Sequence, residues 1–281
     1  MGFFLKDLKA SVFSPRVAVA FAFVAFVTLG LAWLVAQAAV QADASDMDPA
    51  TRQLWQRGAD GALSTLAFFL PVILPVVAVT LARQNLESDA TAGLLPLALS
   101  KPAPNQFMAG GKAAGMVAAL AVPLIPLSLA AAFLIQALVG EPLDPVLVAA
   151  FVGGNLVLAA LYLLLGLVIG TALSPGFVGP LAGLVWLGSN LLRPTAFVLL
   201  GVLIGAVRVE DLLTFEYAWT DVISFTGLEQ GILAAFTPAD LMFVVWPMDS
   251  LLPQVVVWAN AAWIAGLLLL FAVLLAKVPE R

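Results

Sequence analysis

Apolar residues in this chain come in long, nearly unbroken runs, and polar and charged residues gather between the runs instead of alternating with them. A hydrocarbon layer about 30 Å thick needs roughly 20 apolar helical residues to cross it. Runs of that length, bounded by charge or by Pro and Gly, predict six transmembrane helices, at about 17–39, 61–81, 113–139, 146–173, 178–207 and 253–276. The fifth run is too long for one upright span and must tilt, break or continue past the bilayer. The expected fold class is therefore an all-α polytopic integral membrane protein, one transmembrane domain over residues 1–281.

The segments between the runs have characters of their own. Over residues 1–16, Phe4, Leu8 and Val12 recur at four-residue spacing while Lys6, Asp7, Lys9 and Ser11 fall elsewhere, the pattern of an amphipathic helix lying in the membrane interface. Asp48 before Pro49 predicts the start of a short helix between the first two spans. Residues 208–252 mix seven acids with Phe215, Tyr217, Trp219, Phe225, Phe236, Phe243 and Trp246, which suits short interfacial helices with rings at headgroup level. Pro71 and Pro75 remove two donors from the second span and should bend it. Gly111/Gly115, Gly166/Gly170, Gly179/Gly183 and Gly201/Gly205 are small pairs of the kind that allow close helix contact.

Charge sets the orientation. Lys6, Lys9, Arg16, Arg83, Lys101, Lys112, Lys277 and Arg281 fall on one side of the six-span scheme, against only Arg52, Arg57 and Arg208 on the other. The positive-inside rule then puts both termini in the cytoplasm of a multi-pass protein of the cytoplasmic (inner) membrane. Most acids lie on the opposite, external side, so the net charge of -5 is a topology signal first. Composition agrees: 63% of residues are hydrophobic and 10% charged, against about a quarter charged in soluble domains. The first run exceeds the apolar stretch of a cleaved signal peptide and reads as an uncleaved anchor. Lys6 at the sixth position is wrong for myristoylation.

Candidate chemistry is sparse. The sequence has no Cys and no His, which removes thiol and imidazole chemistry and most tight zinc, copper or haem sites, so no metal or other cofactor is expected in this chain. Gly110-Gly111-Lys112 glances at a phosphate-binding loop, but Gln106 and Ala113 stand where that pattern needs Gly and Ser or Thr. Lys112 reads instead as a helix-end anchor at the interface, and any ATP energy must come from another subunit. The span cores hold no carboxylate, which counts against ion-coupled carriers and against intramembrane proteolysis by paired aspartates. No catalytic residue is expected. Arg193 lies within the fifth run, beside Ser189 and Asn190; it either lines a translocation cavity or snorkels outward to meet an external acid.

The cytoplasmic segment 83–112 adds a resemblance. Glu87 and Asp89 lead into Gly93-Leu94-Leu95, a Leu-rich turn, Pro102 nine residues after the Gly, and Gly111-Lys112 at the next span. This resembles the signature of type 2 ABC transporter permeases, with Leu94 where the family has Thr and Pro96 interrupting the turn, and it looks most like the branch of the nitrous-oxide-reductase maturation permease. The resemblance implies two permease subunits, a homodimer or a pair of paralogues, each engaging a cytoplasmic ATPase that holds ATP and Mg. It also implies Glu87, Asp89, Gly93, Leu94 and Leu95 as coupling residues. Two readings follow: an exporter permease, or a membrane subunit relaying ATPase strokes to an external partner protein without moving a solute itself. Besides these proteins the partner is the lipid bilayer; nucleic acid is not expected.

Overall fold

Ser14 and Pro15 begin the first helix as sequence rules require. Pro15 occupies the first helical position, where its missing N–H costs nothing, and the Ser14 carbonyl accepts from Ala18 N at 2.9 Å. The computed structural model describes residues 14–41, 58–91, 105–191 and 253–277. Among them the chain forms helices α1 (Pro15–Gln41), α2 (Gly58–Phe69), α3 (Pro75–Thr91), α4 (Asn105–Val139), α5 (Pro145–Ala172), α6 (Val178–Leu191) and α7 (Pro253–Lys277), and no strand.

Five helical stretches among the described residues are long and apolar enough to cross a membrane: Pro15–Gln41, Gly58–Ala90, Ala109–Val139, Pro145–Ala172 and Trp258–Ala276. They correspond to five of the six expected spans. The described part of the remaining one, α6, has 14 residues, about 21 Å of helix and short of a full crossing. Residues 1–13, 42–57 and 192–252 fall outside the described residues, and with them the expected interfacial leader, the helix after Asp48, Arg193 and the external acidic segment.

Local chemistry explains the helix ends. Asp144 caps α5, its Oδ1 accepting from Val146 N at 2.8 Å, with Pro145 at the first helical position. Gly140 ends α4 at φ +82, a left-handed conformation that glycine adopts without a side-chain clash, and its N–H bonds the Gln136 carbonyl at 2.9 Å. Pro71 and Pro75 do more than bend the second span: the α-helix gives way to a 3-10 turn over Leu70–Val72 before α3 resumes. Val76 N to Ile73 O and Val77 N to Leu74 O, at 3.1 and 3.2 Å, take up the backbone groups there. Pro123 and Pro126, which the sequence reading passed over, lie inside α4 without ending it.

α5 is the centre of the bundle, packing against α3, α4, α6 and α7. Its first half keeps one half-buried stripe, Val152, Gly153, Leu156, Val157 and Ala160, and from Leu161 to Gly170 nearly every residue is buried, as an apolar helix must be when other helices surround it. α1 and α7 are peripheral; Phe26 at 80% exposure and Trp258 at 75% face outward, as lipid-contacting side chains do. Two of the expected small residues mark the tightest approach. A Cβ on Gly166 would stand 2.7 Å from the Ala82 Cβ, and one on Gly170 would collide with Leu86 and Val178. α3 and the start of α6 therefore reach α5 only because it presents glycine there. Gly111, Gly179 and Gly183, by contrast, have open space at the same position.

This contrast gives a prediction. Gly170→Val should lower thermal stability by the equivalent of about 1–3 kcal/mol, the usual cost of overpacking. Gly183→Ala should leave it unchanged. Detergent-solubilised melting curves check both, and equal stability of the two variants would contradict the packing.

Candidate functional site

The expected coupling segment is shorter than its charges suggested, because helix continues far into it from both ends. α3 runs on through Arg83-Gln84-Asn85-Leu86-Glu87-Ser88-Asp89 to Thr91, and α4 starts at Asn105. Residues 92–104 lie between them, outside the described residues, and carry Gly93, Leu94, Leu95 and Pro102.

The last turns of α3 have two faces. Leu81, Ala82, Asn85, Leu86 and Asp89 are buried, while Arg83 and Ser88 point outward. On α4, Ala109, Lys112, Ala113 and Met116 form the matching buried stripe at helical spacing. Where the stripes meet, the Lys112 ammonium donates to Asn85 Oδ1 and to the Asp89 carboxylate. Lys112 and Asp89 side chains are only 7% and 9% exposed. Lys112 is thus not a surface anchor as its position suggested: its charge is turned inward and matched. A buried ammonium is tolerated only with such partners, since an unpaired one would be strongly desolvated. The arrangement clasps the end of α3 to the start of α4, at the two ends of residues 92–104.

Glu87 sits differently from Asp89, two residues away. Its Oε2 accepts from Arg16 Nη1 at 3.0 Å and its Oε1 from Arg83 Nε at 2.7 Å. These groups are partly exposed, Arg16 at 72% and Arg83 at 50%, so each pair contributes under about 1 kcal/mol. The pairs link α1 to α3 beside the clasp. Of the two acids expected to meet an ATPase, Glu87 is therefore the accessible one and Asp89 the internal one.

Beside Glu87 a groove opens between α1, α3 and α6. Its polar end, about 360 Å³, is lined by Arg16, Arg83, Gln84 and Glu87. Its apolar continuation, about 500 Å³, is lined by Phe23, Val76, Gly183 and Trp186 among others, and the two share Val79, Thr80 and Gly179.

Of the residues proposed for a translocation cavity, Ser189 is 8% exposed and lies beside Tyr162 of α5, facing the helix bundle. The side chain of Asn190 and all of Arg193 lie outside the described residues. A second buried polar link, which sequence reasoning missed, joins α5 to α4: Asn155 Nδ2 donates to Ser128 Oγ at 3.1 Å. No group of His, Cys, Asp or Glu able to hold a metal ion occurs among the described residues. Compared with known proteins, the chain matches no family model and no curated relative.

Proposed function

We propose that this chain is the permease subunit of an ATP-driven ABC exporter, a six-span protein with both termini cytoplasmic that works as a dimer with a separate ATPase. The observation that carries the reading is the buried clasp of Lys112 with Asp89 and Asn85 at the base of a short connection bearing Gly93-Leu94-Leu95. A loop that passes force between subunits has to be held at its roots, or motion at its tip is lost in local bending. A charge pair buried between two helix ends supplies that anchorage at a place where a surface loop would not ordinarily hide charge.

On this reading Leu94 and Leu95 fill a cleft of the ATPase, Gly93 gives the backbone room to turn, and Glu87 offers an acceptor at the rim. Asp89 acts one step back, by fixing the helix that carries them. ATP and Mg are held by the partner, and this chain catalyses nothing. The acidic, aromatic composition of residues 208–252 favours a second reading, in which the same strokes are relayed to an external protein partner. Both readings require the ATPase. Subunit composition after mild-detergent extraction tests this: two copies of this chain with two ATPase chains are expected, and a stable monomer free of any ATPase would overturn both.

A further inference from the structure

We infer that the groove between α1, α3 and α6 is a binding site for one anionic phospholipid, with its phosphate at Arg16 and Arg83 and an acyl chain along the apolar part. One face of α3 lines the groove: Val76, Val79, Thr80, Arg83 and Glu87 recur at three- and four-residue spacing. From Val76 to Glu87 this face spans about 16 Å, close to the depth of one leaflet in a hydrocarbon layer of about 30 Å. The groove is thus apolar over the length of a lipid tail and polar where a headgroup would sit.

Charge decides which headgroup. Among the described residues at this end, two guanidiniums share the carboxylate of Glu87, which leaves an excess positive charge and N–H donors beyond those that Glu87 engages. Arginine forks suit phosphate oxygens, and basic pockets between transmembrane helices hold anionic headgroups for that reason. A second polar atom points the same way: Gln84 Oε1, at this end of the groove, is buried and has no hydrogen-bond partner among the described residues. It needs a donor, which arginine-bound phosphate cannot be but a headgroup hydroxyl can. A phosphodiester carrying a hydroxylated headgroup, as in phosphatidylglycerol, satisfies both demands at once. Gly179 and Gly183 keep the wall open, since a Cβ at either meets nothing within 4 Å.

The test is retention of lipid by the full chain, extracted with whatever subunits accompany it, exchanged into neutral detergent and weighed by native mass spectrometry. Phosphatidylglycerol should be retained at least about ten-fold over phosphatidylcholine, and soluble glycerol phosphate should not compete. Arg16→Gln with Arg83→Gln should bring phosphatidylglycerol down to the phosphatidylcholine level. Gly183→Leu, placed in open space and so compatible with folding, should lower retention of phosphatidylglycerol by blocking the tail. Equal retention of the two lipids, competition by glycerol phosphate, or full retention by either variant would overturn the proposal. Efficient cross-linking of two chains through Gly183→Cys would also overturn it, by showing that a second copy fills the groove.

Discussion

Lys112→Met is expected to be the most damaging single change in the described part of the molecule. It removes the ammonium that pairs with the Asp89 carboxylate, a side chain only 9% exposed. Breaking a buried pair from one side costs about 3–5 kcal/mol, whereas replacing both partners by apolar groups of similar size is often neutral. Lys112→Met combined with Asp89→Leu should therefore recover most of the thermal stability lost by Lys112→Met alone. Melting curves and the yield of monodisperse protein read this out. A single variant as stable as the wild type, or a double variant no better than the single, would show that the clasp does not carry the load assigned to it. If stability returns in the double variant but stimulation of the ATPase does not, the charge itself matters for transmission as well as for folding.

Leu94→Ala with Leu95→Ala should have the largest effect on partnership. Buried apolar anchors can each cost about 2 kcal/mol or more when truncated, so the pair should weaken ATPase association by a factor on the order of 10³. Glu87→Gln should do far less. Its two ion pairs are partly exposed and worth under about 1 kcal/mol each, and its loss leaves two solvated arginines. Asp89 is unsuitable for the comparison, because truncating it removes the carboxylate that Lys112 meets inside the bundle and confounds docking with stability. Association measured on the surface-immobilised chain, together with ATP hydrolysis, distinguishes the cases. Leucine variants that fold, bind and stimulate as the wild type does would move the contact away from 92–104, towards the amino-terminal segment around Lys6 and Lys9.

Much of this architecture was legible from apolar run length, because the bilayer forces each crossing segment to satisfy its own backbone. α5 was expected at 146–173 and is found at Pro145–Ala172, and α1 overshoots its run by only two residues at each end. The boundaries that moved are those of α3 and α4, where hydropathy falls but helical hydrogen bonding does not. The charged stretch there is the amphipathic end of a helix, not loop. The missed signal was periodicity: Asn85 and Asp89 repeat on the face of Leu81, Ala82 and Leu86, and Lys112 on that of Ala109 and Met116. A polar residue on a buried stripe asks for a partner, and reading the two stripes together would have paired Lys112 with Asp89. Gly166 and Gly170 were recognisable as small residues, yet nothing in their spacing separated them from Gly179 and Gly183. The difference lies in the neighbour, which sequence does not name.

The central claim is that this chain works with an ATPase it does not itself contain. Mass measurement of the complex released by mild detergent tests it most directly, with ATP hydrolysis assayed on the same sample. The account predicts two copies of the 29.3 kDa chain, two copies of a nucleotide-binding subunit, and hydrolysis that falls when Leu94→Ala and Leu95→Ala are introduced together. A homogeneous, well-folded chain that carries no nucleotide-binding subunit under the same conditions would contradict it.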